Sequence, residues 1–225
     1  MEFAGRVSNP AIADGGAGGH AAGVPRWEWR AFERTFVAPP GGGEVTEAPD
    51  VAEREETHVL SLLSPHNVKI CDGRLHIERL ERAGAGDLEF WRPDITAEFP
   101  LAADALSAAF DAWALPAPAP GTPPHSLADL LRNVVVPHRD LRIVTLTKRR
   151  RPMTVAGCRG ERAQITMGTH RWNTVSFADA DPMRVLGALE QLKLDPTANE
   201  NCPRALKRIL GLHDHSSSPS MESAW

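Results

Sequence analysis

The sequence predicts an α+β fold: an antiparallel β-sheet or barrel of about eight or nine strands, with four helices. Three observations point to it. Most of the chain divides into short segments with strand-like alternation, joined by links of only a few residues. Asp72-Gly73, between two such segments, is the strongest two-residue hairpin signal in the chain. Helical periodicity is confined to four short stretches, too few to supply the crossovers of a parallel sheet.

Arg26 to Phe36 alternates and reads as the first strand. Residues 39 to 54, with Pro39-Pro40-Gly41-Gly42-Gly43 and an acidic run, read as a loop. Thr57 to Leu63 follows as a short apolar strand. Val68 to Cys71 and Leu75 to Leu80 flank the hairpin turn, and Leu88 to Arg92 is a further strand. The later strands are Leu141 to Arg150, Met153 to Ala156, Arg162 to Met167 and Arg171 to Ala178, with turns at Gly157 to Gly160 and at Gly168. Of the helices, the first carries Leu106, Phe110 and Trp113. The second is capped by Ser126 and has Leu127, Leu130, Leu131, Val134 and Val135 on its apolar side. Asp181 caps the third, with Pro182 in its first turn. The fourth starts near Pro203 and stops at Gly211. Pro116 to Pro124 alternates proline with small residues and reads as a stiff connector.

Three domains of behaviour are expected: a Gly/Ala-rich disordered tail over residues 1–24, one folded domain over 25–212, and a polar tail over 213–225. Apolar residues make up 42% of the 225, enough for a sizeable core, and the net charge of -4 argues against general nucleic-acid binding. Any basic function must come from a local patch. The three cysteines include no Cys-x-x-Cys pair, so neither a disulfide framework nor a zinc site is indicated. A reducing cytoplasm fits them. No apolar run suits a signal peptide, and no segment approaches the roughly 18 apolar residues of a membrane span.

The charged strands carry the chemistry. In Arg26-Trp27-Glu28-Trp29-Arg30 residues two apart share a face, so Glu28 and Arg30 lie together and the two tryptophans lie opposite. Lys148 and Arg150 likewise share a face, with Arg149 and Arg151 on the other. A strand of this kind can bury its aromatic side and give its charged side to an ionic site. Acidic and basic groups lining one cavity suit a polyanion bound with a divalent metal. A solvated outer face is the simpler alternative for any one such strand.

The order of these pieces resembles the CYTH superfamily, the triphosphate tunnel metalloenzymes, which includes class IV adenylate cyclases, thiamine triphosphatases and inorganic triphosphatases. The similarity runs from Arg26 to Leu212. It rests on Trp27-Glu28-Trp29-Arg30, on Val68 to Leu75, on Thr147-Lys148-Arg149-Arg150 with Gly157 to Glu161, and on the closing run Thr174-Val175, Asp181-Pro182, Leu194, Asn201-Cys202-Pro203 and Leu206-Lys207. The resemblance implies a closed antiparallel β-barrel (tunnel) of about eight strands with flanking helices, and charged residues pointing into the lumen. It also implies that Glu28 and Glu161 bind Mg²⁺ or Mn²⁺, and that Arg30, Lys69, Lys148 and Arg150 bind phosphate. The chain departs from the pattern in its acidic half. Arg26 stands at the first Glu of the family's Glu-x-Glu-x-Lys, Cys71 at the second basic place of the hairpin, and Ala178 where a late-strand Glu is usual.

Two functions fit this pattern. One is a weak metal-dependent hydrolase of triphosphates or polyphosphate. The other is a non-catalytic module that binds a phosphoanion or docks a partner's acidic segment. In both, the expected partner is a small phosphorylated anion such as tripolyphosphate, polyphosphate or a nucleotide.

Overall fold

The computed structural model describes residues 23–34, 45–47, 52–119 and 125–213. The glycine-rich stretch before residue 23 and the tail after residue 213 lie outside the described residues. Strands β1 (Arg26–Glu33), β2 (Val45–Glu47), β3 (Ala52–Ser61), β4 (Asn67–Cys71), β5 (Arg74–Ala83) and β6 (Glu89–Glu98) come first. Helices α1 (Ala103–Ala112) and α2 (Leu127–Asp129) follow, and α2 continues into a wider π-helical segment, Leu130–Val135. Then come β7 (Leu141–Val155), β8 (Cys158–Met167), β9 (His170–Asp179), α3 (Pro182–Gln191) and α4 (Cys202–Ile209).

The sheet runs β7-β3-β4-β5-β6-β1-β9-β8 and closes by pairing β8 with β7; the ninth strand, β2, joins the far end of β7. Every pairing is antiparallel. The expected α+β barrel of about eight strands is therefore present.

Tight turns set the register. Asp72 and Gly73 have φ of 51° and 71°, the two left-handed residues of a type I′ turn. Ala156 and Gly157, at 49° and 74°, make the same turn between β7 and β8. The second turn is thus earlier than the sequence suggested, and Cys158 to Gly160 already belong to β8. Gly160 has a packing reason to lack a side chain: a Cβ there would lie 2.5 Å from the Phe177 ring.

Two expectations about strands are corrected. Residues 39 to 54 are not all loop, because β2 pairs with Val155 to Met153 and β3 begins at Ala52. Met153 to Ala156 is not a separate strand, because β7 runs unbroken through Pro152. Along that edge β3 pairs as far as Arg150 and β2 starts at Met153. Pro152 falls in the gap, where a missing N–H costs no ladder bond on that side.

Apolar packing lies on both sides of the wall. Outside, α1 and the α2 region cover Val59, Val68, Leu75 and Ile77, while α3 covers Trp29, Val175 and Phe177. Inside, one half of the barrel is filled by Phe32, Leu60, Leu146 and Ile165 packed on Ala205 and Leu206 of α4. These interior residues continue the same strand faces as Arg30, Glu56, Lys148 and Glu161, so the lumen is apolar at one end and ionic at the other.

β1 is a partial seam. It pairs with β9 over seven positions but with β6 only at Arg26 to Glu28. Beyond that point the segment before α4 takes over. Arg30 N donates to Asn199 Oδ1 at 2.8 Å, Glu200 N donates to Arg30 O at 2.7 Å, and Trp29 Nε1 donates to Pro196 O at 2.9 Å. No helix among the described residues is long and apolar enough to cross a membrane.

Two glycine-to-alanine changes should move stability in opposite directions. Gly160→Ala should cost about 1–3 kcal/mol by forcing Phe177 aside. Gly187→Ala, in α3 with nothing within 4 Å of the added methyl, should stabilise by about 0.5–1 kcal/mol. Urea denaturation of both variants against wild type checks the pair.

Candidate functional site

The ionic half of the lumen encloses a cavity of about 270 Å³. Glu28 and Arg30 reach it from β1, Lys69 from β4, Lys148 and Arg150 from β7, and Glu161 from β8. All six residues singled out in the sequence line this one space. The opposite face of β1 behaves as its alternation requires, with Trp29 buried under α3. Arg149 and Arg151 lie outside, in a separate depression with Arg162, Gln164 and Asn173.

Further ionic residues line the same space, Arg54 and Asp72 among them. Arg26 joins from β1, Glu56 from β3 and Glu78 from β5. His58 and Asn67 lie beside them. Asn67 Nδ2 donates to Glu78 Oε2 at 2.9 Å, and His58 lies 3.3 Å from Glu56 Oε2 and 3.2 Å from Asn67 Oδ1. The acidic half of the site is therefore richer than Glu28 and Glu161 alone. The missing signal was legible: Glu56 and His58 alternate with Arg54, and His76 with Glu78, at the spacing that marked Glu28 and Arg30. Reading residues up to 54 as loop hid the first of these.

The carboxylates are held by cations. Glu161 Oε2 accepts from Arg150 Nε at 2.5 Å, and Lys148 Nζ lies 2.6 Å from Oε1. The Lys148 contact is an ion pair without hydrogen-bond alignment, so Oε1 has no aligned donor. Arg30 reaches both predicted metal ligands, with Nε 3.1 Å from Glu28 Oε1 and Nη1 3.8 Å from Glu161 Oε1. Arg26 bridges a second pair: its Nη2 lies 2.6 Å from Glu78 Oε1 and 3.6 Å from Glu28 Oε2.

The titration of these groups follows. Burial alone would raise the Glu161 carboxyl, but Lys148, Arg30 and Arg150 outweigh it and hold it well below the usual carboxylate range. Burial opposes Glu78 in the same way, and Lys69 and Arg26 bring it down to about 2. Glu56 is also depressed, against burial, by Lys69, by its bond to His58 and by Lys148. Burial works against the charged form of Lys69, and Glu56 and Glu78 reverse that effect, so the ammonium stays protonated. Cys202, at the cavity edge, is pushed up to about 11 by burial, with Arg30 and Lys148 pulling the other way. It is a neutral thiol at neutral pH.

Lys69 is distinct within this network. Its ammonium makes no hydrogen bond, and no ion pair within 4.0 Å, to any described residue. The cation next to it has an unmet donor as well: Arg26 Nε is buried without an acceptor.

The donor set does not suit Mg²⁺ or Mn²⁺. Glu28 and Glu161 are joined through the guanidinium of Arg30, which fills the position a bridging cation would take. Among the described residues no three His, Cys, Asp or Glu side chains come together in a way that would hold a metal ion. Ala178, directly across the β1–β9 ladder from Glu28, adds no carboxylate.

No family model matches the chain, and no curated protein matches its sequence. Solved structures do align with it. A Hippeastrum protein, a candidate adenylyl cyclase described as having a dominant triphosphatase activity, is 9% identical, with a TM-score of 0.43 over 83% of this chain and 96% of its own. A candidate adenylate cyclase of Bacillus halodurans is 11% identical, with a TM-score of 0.43 over 79% and 96%. A Pyrococcus horikoshii protein is 12% identical, with a TM-score of 0.42 over 77% and 94%. The chain forms a closed eight-stranded antiparallel barrel.

Proposed function

We propose that the ionic half of the barrel binds a small phosphorylated anion, with tripolyphosphate or a polyphosphate end as the best fit. The observation that carries this is the Lys69 ammonium, charged, facing the cavity and without a hydrogen-bond partner among the described residues. A buried or half-buried cation is stable only when paired, and a phosphate oxygen is the natural acceptor. Arg26, Arg30, Lys148 and Arg150 surround the same space. The cavity of about 270 Å³ lies just under the roughly 300–1,000 Å³ range of drug-sized pockets, which favours a phosphate chain over a whole nucleotide.

Binding is favoured over hydrolysis. Phosphoryl transfer requires charge stabilisation and an oriented water. The cations to stabilise charge are present. The carboxylates that would orient water or hold metal are instead clasped by guanidinium and ammonium groups. An incoming anion competes with these glutamates for the same donors, so the affinity should be moderate and sensitive to salt.

In titrations at low ionic strength, tripolyphosphate should bind and raise the melting temperature. Lys69→Met should weaken binding by about tenfold or more, the loss of one charge-assisted contact. Absence of binding by tripolyphosphate and by long-chain polyphosphate alike would remove the basis of this reading. Phosphate release from tripolyphosphate with Mg²⁺ or Mn²⁺ should be absent in the wild type; release that depends on Glu28 would show a working hydrolase instead.

Stability should also follow the glutamates. A carboxyl depressed by folding contributes stability above its unfolded value, and that contribution is lost as pH falls through the folded value. Glu89, raised by burial, works in the opposite sense. With Glu56, Glu78 and Glu161 all depressed, the melting temperature should hold from neutrality to about pH 5 and then decline. The decline should run from the ordinary carboxylate value of 4.5 down through about 2 for Glu78. Thermal melts across that range check it, and a decline complete by pH 4.5 would contradict it.

A further inference from the structure

We propose that the guanidiniums of Arg26 and Arg30 act as resident cations in place of a divalent metal, so that the cavity selects the metal-free form of its phosphorylated anion. The inference rests on the phosphoanion reading above and adds the ionic form of the ligand. Each of the two arginines sits between two carboxylates. Arg30 spans Glu28 and Glu161 at 3.1 and 3.8 Å, and Arg26 spans Glu78 and Glu28 at 2.6 and 3.6 Å. Three glutamates from three strands are thus linked through two guanidiniums.

A guanidinium differs from a metal ion in how it meets phosphate. It cannot be removed by chelation or deprotonated at working pH, and it offers a fixed fork of N–H donors rather than open coordination positions. Arg26 uses Nη2 on Glu78 and lines the cavity with the rest of its guanidinium. Lys69 stands on the other side of the same chemistry, its charge supported by Glu56 and Glu78. The Lys69 ammonium and the Arg26 guanidinium line one cavity and are both drawn to Glu78, so together they offer a subsite for one terminal phosphate. A phosphate chain already carrying Mg²⁺ would bring a second cation against Arg26 and Arg30, and would have fewer free oxygens for Arg26 and Lys69. The repulsion falls on the bound metal, so the magnesium complex is disfavoured.

The test is calorimetric titration of the full chain with tripolyphosphate, once in EDTA and once in excess Mg²⁺. Binding in EDTA that weakens about tenfold or more in Mg²⁺ is expected. Binding that is tightened by Mg²⁺, or seen only with it, overturns the inference while leaving a phosphoanion site. No binding in either buffer overturns both. Mn²⁺ alone, followed by its electron paramagnetic resonance signal, supplies a readout without the anion. The wild type should leave that signal at the free-ion level. Arg26→Glu, which places a third carboxylate beside Glu28 and Glu78, should take up one Mn²⁺. Stoichiometric Mn²⁺ uptake by the wild type would overturn the inference. Arg26→Lys keeps the charge but lacks the guanidinium fork, and should bind metal-free tripolyphosphate less tightly than the wild type yet more tightly than Arg26→Met. Equal affinity across wild type and both variants would show that Arg26 is not part of the subsite.

Discussion

Glu56, Glu78 and Glu161 can remain charged inside the β-barrel only because cations face them. Burial by itself raises a carboxyl's pKa, and an isolated buried carboxylate would neutralise rather than persist. Here Glu161 is met by Lys148, Arg150 and Arg30, and Glu78 by Arg26 and Lys69. The partners come from different strands, so the ion network also fixes which strands must be neighbours. Register errors would be costly, since a slip of one residue turns every lumen charge outward and every tryptophan of β1 inward. The closed ring, the direction of Trp29 and the ionic cavity are three results of one alternation.

Removing one member of such a network differs from removing a surface pair. Losing a partner leaves the other charge buried and unpaired, which is more costly than the pair itself is stabilising. An incoming anion need not break these pairs, because a guanidinium or ammonium has several N–H donors and can serve a phosphate oxygen beside its carboxylate. That is why a lumen whose cations are mostly engaged is still suited to a phosphorylated ligand.

Much of the barrel was legible from residue spacing. The Asp72-Gly73 turn, the four helix positions and the two faces of β1 all follow from period and turn chemistry. The helix caps at Ser126 and Asp181 are present, each accepting a backbone N–H in the first turn. The exceptions have physical causes. Pro152 reads as a strand breaker, yet the exchange of partners along β7 absorbs it. Ala156 takes a left-handed conformation in the turn, a position where the sequence signal favours glycine or asparagine. The acidic run before Thr57 looks like loop because charged residues usually face solvent. It became strand because alternate residues of it turn into an ionic lumen, which single-sequence hydropathy cannot distinguish from water. Whether residues converge is a property of the closed ring, so Glu56 and Glu78 could join the site only once β3 and β5 were placed around it.

The seam at β1 has a consequence for how the molecule is made. The first strand finds only three partners on β6 and must wait for β9, and then for the segment around Asn199, to satisfy the rest of its backbone. Both come late in the order of the domain's elements. An emerging chain can assemble β3 to β6 and the α1 packing from nearby pieces, but the first strand stays unlaced until almost the whole domain has left the ribosome. During that interval Glu28 and Arg30 remain hydrated, and dehydration of the charges coincides with the final closure. Such a barrel should fold slowly, with its ionic lumen as the last part to form.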